Sequence, residues 1–306
     1  FVCSVIWSGI LKMKLKINSQ KVAPYIFVLP FILTFVIFFV YSIGSTIIMS
    51  FQSVNIKDIQ FVGLENYRML LSNSDFPIAI RNTLIYTGLT LLMLIPFPLV
   101  YAVMLNSKSM RGSSFFRGIL FLPILCSVVV AGLTFRFMFN ETGNSLVNSV
   151  IINLFDGEKI RWLALQWPAM IVMVTLTCWR WTGINVIYFL SGLKSIPQEL
   201  YEAGEIDGAN NWQRLIYLTI PLLKPTIIYV LTISIYGGLA MFVESQMLWA
   251  GKSSPHNIGL TIVGLIYKNG IGQGNFGMAS TIGVILLAVV LGANLLQLKL
   301  TGSLGK

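Results

Sequence analysis

Long apolar stretches separated by short polar segments organise this chain. Six of them are long enough to act as spans: Pro24 to Phe51, Asn82 to Leu105, Phe115 to Phe139, Trp167 to Leu190, Pro225 to Trp249 and Gly277 to Leu298. A helix of about 20 apolar residues crosses the roughly 30 Å of bilayer hydrocarbon, where every backbone polar group must be paired within its own segment or a closed barrel. Runs of this length select helices over a barrel. The pattern predicts an all-α integral membrane protein with six transmembrane helices, in one membrane domain over residues 24–306. Ahead of it, residues 1–23 read as a cytoplasmic arm: the apolar stretch Phe1 to Ile10 is too short to cross, and Lys12, Lys14 and Lys16 follow it rather than precede it as in a cleavable signal.

Composition agrees with a lipid solvent. Of 306 residues, 56% are hydrophobic and 10% charged, against about 25% charged in soluble domains. The net charge of +10 does not mark a nucleic-acid partner, because the basic residues are scattered between spans and form no continuous stripe. It reads as an orientation signal. With the N-terminus inside, most of the 21 lysines and arginines fall on inner segments, which puts both termini in the cytoplasm. The segments from Gln52 to Arg81, Asn140 to Gln166 and Ala250 to Phe276 then lie outside, each too short for a domain but long enough to touch a partner.

No pattern of residues supports catalysis or metal binding. Cys3, Cys126 and Cys178 are far apart, and the single histidine, His256, has no cysteine or second histidine near it. Gly272-Gln273-Gly274-Asn275-Phe276-Gly277 has the letters of a dinucleotide fingerprint but leads into a span rather than out of a strand. Gly251-Lys252-Ser253 lacks the upstream glycine of a phosphate loop. The chain is expected to bind no ATP, metal or cofactor itself.

One segment stands apart. All four acidic residues of the inner side, Glu199, Glu202, Glu205 and Asp207, sit in a turn-rich insert over residues 195–221. Ser195 and Gln198 suggest a capping box with Pro197 in the first turn, opening a helix that runs through Glu205. The three glutamates recur every third residue and so share a broad face, opposite Leu200, Ala203 and Ile206. Asp207-Gly208 is a stop and turn, Asn211 can cap a second helix from Trp212 to Leu218, and Pro221 is expected to end it. Small residues at Ala203, Gly204, Gly208 and Ala209 let another surface approach the backbone, and Trp212 offers an anchor. The alternative is an amphipathic loop lying on the membrane.

This insert resembles the cytoplasmic EAA loop of ABC importer permeases, with Glu202 at the leading glutamate, Gly204 where alanine is usual and Ile220 where leucine is common before the proline. Together with Arg117-Gly118-Ile119-Leu120-Phe121-Leu122-Pro123 and the region from Trp179 to Pro225, it makes the whole chain similar to permeases of carbohydrate-uptake type 1 (maltose-permease-like) importers. Met49-Ser50-Phe51-Gln52-Ser53-Val54, Arg180-Trp181-Thr182-Gly183-Ile184-Asn185 and Asn257-Ile258-Gly259-Leu260-Thr261 resemble arabino-oligosaccharide permeases most. The resemblance implies a six-helix permease fold in a bacterial plasma membrane, half of a heterodimeric pathway with a second homologous permease. It also implies two ATPase subunits that bind ATP and Mg, an extracellular solute-binding protein and a sugar substrate. In that family the loop enters a cleft on the ATPase, so Glu202, Ala203, Gly204, Asp207, Gly208, Ala209 and Trp212 are the expected coupling residues.

Candidates for the solute pathway lie on two spans. Thr177, Trp181, Asn185 and Tyr188 fall at i, i+4, i+8 and i+11, one helical stripe within an apolar segment. Aromatic rings beside amide and hydroxyl groups suit a sugar, which presents an apolar ring face and many hydroxyls. Ser234, Gly238, Met241 and Ser245 make a similar stripe on the fifth span, and in maltose-type permeases the sugar site is built from these same two spans. Packing against neighbouring helices is the alternative for both stripes. Arg180 and Glu244 are the costliest groups near the membrane, and they are expected to pair. A secondary transporter or an integral-membrane enzyme is the competing functional class.

Overall fold

The structure, a computed structural model, describes residues 19–55, 58–107 and 110–302. Most of the expected N-terminal arm therefore lies outside the described residues, but helix is already present from Ser19. Four helices are long and apolar enough to cross a membrane: α1 (Pro24–Ser50), α3 (Asp75–Asn106), α7 (Gln166–Lys194) and α13 (Phe276–Leu300). Two further apolar stretches are bent helix pairs, which bring the number to six where each pair is one span. These are α4 (Ser113–Leu125) with α5 (Val128–Met138), bent by 95°, and α9 (Asn211–Leu222) with α10 (Lys224–Leu239), bent by 70°. Between them lie a hairpin of β1 (Gln52–Asn55) and β2 (Asp58–Phe61) and the short helices α2 (Glu65–Ser72), α6 (Leu146–Phe155), α8 (Gln198–Ile206), α11 (Val243–Leu248) and α12 (Ile262–Tyr267).

The bent pairs add breaks that the expectation of six spans did not contain. The run from Phe115 to Phe139 is one apolar stretch, yet Cys126 and Ser127 are extended, with ψ of 134° and 135°, and separate α4 from α5. Pro123 has already removed one backbone donor from the last turn of α4, weakening its continuation. The run from Pro225 to Trp249 is likewise broken, because α10 stops at Leu239 just after Gly237 and Gly238 and α11 starts only at Val243. Phe242 between them is non-helical at φ −149° and ψ −53°.

Apolar clusters knit the spans together. At the Lys194 end of α7, Val186, Phe189, Leu190 and Leu193 pack with Ala102 and Leu105 of α3 and with Leu223 and Val230. Toward the Gln166 end, Met170, Met173 and Leu176 join Tyr86, Phe135, Met241, Leu248 and Trp249. α7 also crosses α4 with no room to spare: a Cβ on Gly183 would overlap the Leu120 carbonyl group and the Phe121 backbone. By contrast, residues Tyr25 to Ile43 of α1 are almost all exposed on this single chain, an apolar helix that lipid or another subunit must cover.

Buried asparagines anchor the segments at the Gln166 end. Asn82 Nδ2 donates to the carbonyls of Asn257, Ile258 and Leu260 at 3.0, 3.0 and 3.1 Å. Asn66 Nδ2 holds the Ser50 and Gln52 carbonyls, both at 2.9 Å, locking the end of α1 to the hairpin. Asn148, fully buried, donates to Asn140, Thr142 and Ile160 carbonyls while its Oδ1 accepts from Trp162 Nε1 at 3.0 Å. The backbone of these irregular segments is thus paired despite being buried.

Candidate functional site

A cavity of about 380 Å³ opens between α3, α7, α10 and the start of α11. Its wall includes Thr177, Trp181 and Asn185 from α7, Ser234 and Gly238 from α10, and Met241 and Glu244 from the break and the short helix after it. Seven of the nine residues expected on the pathway therefore meet at one place. Aromatic, hydroxyl, amide and carboxylate groups share it.

Tyr188 and Ser245 do not belong to it. Tyr188 lies on the same face of α7 but about 16 Å farther along than Thr177 at 1.5 Å per residue, where α10 closes in and Tyr229 stacks edge-on at 5.3 Å between ring centroids. Ser245 is buried and donates to the Gly259 carbonyl at 2.5 Å. The stripe from Ser234 to Ser245 assumed a continuous helix, and the break over 240–242 resets its phase. Gly238 also serves the packing alternative, since a Cβ there would press on Thr87 of α3.

Three wall residues on α3, Tyr86, Thr90 and Leu94, were missed in the sequence. A signal was present: Asn82, Tyr86 and Thr90 recur at every fourth position as a polar stripe within an apolar span. Tyr86 Oη and Thr177 Oγ1 share a buried hydrogen bond of 2.5 Å. Asn185 has a structural task as well. Pro98 has no N–H to give the Leu94 carbonyl four residues before it, and Asn185 Nδ2 donates to that carbonyl at 3.2 Å.

The two membrane charges meet as expected. Arg180 Nη1 donates to Glu244 Oε1 at 3.0 Å, with side chains only 11% and 14% exposed. The bond ties α7 to α11 across the break that ends α10. Removing one partner of such a pair would leave an uncompensated charge, at a cost of ~3–5 kcal/mol.

At its other end, α7 stops at Lys194 and leads within three residues into the hairpin of α8 and α9. Ser195 does not cap α8; its Oγ donates backward to the Gly192 carbonyl at 2.7 Å, and Pro197 is the N-cap without a side-chain bond. The capping box forms one turn later. Asn210, not Asn211, accepts from the Gln213 backbone at 2.8 Å while Gln213 Oε1 accepts from the Asn210 backbone at 2.9 Å. Gly208 takes φ +78°, a left-handed conformation that closes α8. Pro221 does not end the second helix, which continues to Leu222. A π turn over Leu215–Thr219, closed by the Ile220 N–H on the Leu215 carbonyl, shifts the bonding pattern just ahead of the proline's missing donor.

Arg214 holds the hairpin together. It donates to Glu205 Oε2 at 3.3 Å on α8 and to Asn211 Oδ1 at 2.7 Å on its own helix. Tyr201 and Thr219 add a hydroxyl pair at 3.2 Å. Glu202, Ala203, Asp207, Gly208 and Trp212 are exposed, and Gly204 and Ala209 half-buried. Ile206, Trp212 and Tyr217, at 87%, 67% and 79% exposure, add apolar surface to the same hairpin. A mixed acidic and apolar face of this kind suits a protein partner.

Residues 22–301 match the model of the binding-protein-dependent transport system inner membrane component family. The chain belongs to this family. It is 48% identical over 285 residues to the arabinooligosaccharides transport system permease protein AraP of Bacillus subtilis (strain 168), covering 93% of this chain and 90% of the relative. It is 32% identical over 275 residues to the lactose transport system permease protein LacF of Rhizobium radiobacter, covering 89% and 92%. Among solved structures, a bacterial alginate ABC transporter in complex with alginate pentasaccharide-bound periplasmic protein aligns with TM-score 0.79 and 25% identity over 96% of this chain and 99% of that one. A bacterial ABC transporter involved in the import of the acidic polysaccharide alginate aligns with the same score at 23% identity, over 94% and 98%. This family member is thus a multi-pass membrane protein with an ABC importer permease fold, and its relatives are named as transport permeases.

Proposed function

We propose that this chain is the permease subunit of an ATP-driven importer that moves a sugar or oligosaccharide delivered by an extracellular binding protein. The observation that carries the reading is the continuity of α7: one unbroken helix bears Thr177, Trp181 and Asn185 on the cavity wall and ends three residues before the α8–α9 hairpin. Relatives named for arabinooligosaccharides and lactose support a saccharide, and the alginate transporter complexed with a periplasmic protein supports delivery by a binding protein.

In this reading a second homologous permease completes the pathway and, with lipid, covers the bare face of α1. Two ATPase subunits bind ATP and Mg, and this chain hydrolyses nothing. Glu202, Ala203, Gly204, Asp207, Gly208, Ala209 and Trp212 meet the ATPase. Closure of the ATPases displaces the braced hairpin as a unit, and α7 carries that displacement to the cavity. The outcome is a population shift between inward-open and outward-open pathways, driven by different contacts in the two states.

Substrate-loaded binding protein should therefore raise ATP hydrolysis by the assembled complex in lipid, and hydrolysis indifferent to it would contradict the reading. The reading also requires the hairpin and both termini to face the cytoplasm. In a cysteine-free background, single cysteines at Ser72 in α2 and Glu199 in α8, both exposed, should react with an impermeant thiol reagent from opposite sides, Ser72 from outside. Reaction of both from one side would overturn this topology.

A further inference from the structure

We infer that Glu244 makes the cavity select for uncharged saccharides over anionic ones. The inference rests on the reading of the cavity as a sugar pathway. Among the described residues that this chain puts on the wall, Glu244 is the one that carries a formal charge. Its countercharge does not share the wall: Arg180 binds Oε1 at 3.0 Å but does not line the cavity. The pair therefore turns its negative end toward the cavity and its positive end into the protein.

The other polar wall groups, on Tyr86, Thr90, Thr177, Trp181, Asn185, Ser234 and Tyr236, are neutral, and the amide of Asn185 is already committed to the Leu94 carbonyl. Hydroxyls of a neutral sugar can donate to the Glu244 carboxylate and accept from the wall hydroxyls. A uronate in the same place would set a second carboxylate against the first with no cation on the wall to offset it. The fold does not decide this point, because an importer of the acidic polysaccharide alginate shares it. A wall residue must.

The test is equilibrium binding to the assembled transport complex in lipid nanodiscs, without binding protein, read by saturation-transfer NMR. The probes are arabinotriose, trigalacturonate and the methyl ester of trigalacturonate. Wild type should bind trigalacturonate about tenfold or more weakly than arabinotriose, as expected when like charges are juxtaposed in a binding site. The methyl ester, with the same skeleton and no charge, should recover most of that loss. Glu244→Gln keeps an acceptor for Arg180 and should bring the two Kd values to within about threefold of each other, whereas Glu244→Asp should keep them apart. Equal affinity of wild type for the acid and arabinotriose, an ester as weak as the acid, or an unchanged ratio in Glu244→Gln would each overturn the role of Glu244 while leaving the sugar reading intact. Failure of all three saccharides to bind wild type would overturn the sugar reading itself and this inference with it.

Discussion

Gly183→Val should abolish recovery of a folded permease. Gly183 sits where α7 crosses α4, and a side chain there would run into the carbonyl of Leu120 and the backbone of Phe121 rather than into another side chain. Ordinary overpacking costs ~1–3 kcal/mol because neighbouring side chains can shift. A backbone obstacle cannot rotate away, so α7 and α4 must separate, and the helix that carries the cavity residues loses its support. Gly204→Ala is the control, because its Cβ would stand 3.8 Å from the Arg214 side chain, an ordinary contact. After extraction in mild detergent, Gly204→Ala should elute as a monodisperse peak and Gly183→Val should aggregate or be degraded. Wild-type yield and thermal stability for Gly183→Val would show that the crossing is looser than described.

Glu202→Lys should detach the ATPase while leaving the membrane part folded. Glu202 is exposed on α8 and forms no ion pair among the described residues, unlike Glu205, which Arg214 holds. Its substitution therefore removes no bond that braces the hairpin. Against a cationic ATPase cleft, lysine replaces attraction by repulsion in a partly desolvated contact, at a cost of at least ~2 kcal/mol or about thirtyfold in affinity. Co-purification of the ATPase should fall accordingly, with the permease eluting as before. Full ATPase association with undiminished stimulation of ATP hydrolysis would remove Glu202 from the docking surface.

The apolar helices, the acidic hairpin and half of the cavity wall were legible in the chain because each rests on a local pattern: apolar length, turn residues between short helices, and a polar stripe at helical spacing. The failures share a cause of a different kind. Val128-Val129-Val130 is as apolar as a membrane helix, so hydropathy carries no mark of the 95° bend just before it. The break over 240–242 is equally silent in hydropathy, and it moved Ser245 off the expected stripe toward Gly259. Tyr188 was on the right face but past the end of the cavity, since a stripe reports angle and not depth. The cap at Asn210 was missed in favour of its neighbour Asn211; the two differ by one residue, and only the placement of the Gln213 side chain distinguishes them. The Arg180–Glu244 pair was predictable for the opposite reason: two charges in an apolar setting have few places to go.

The central claim is that movement of solute through this chain is driven by ATP through the α8–α9 hairpin. It is tested most directly by uptake of labelled oligosaccharide into proteoliposomes holding the complete complex, with binding protein outside and ATP enclosed. Accumulation should require both ATP and binding protein. Trp181→Ala should raise the oligosaccharide concentration for half-maximal uptake about tenfold or more, as loss of an aromatic anchor from a binding site does, while Tyr188→Ala should change it little. Uptake that proceeds without ATP, or that leaves Trp181→Ala indistinguishable from wild type, would contradict the account.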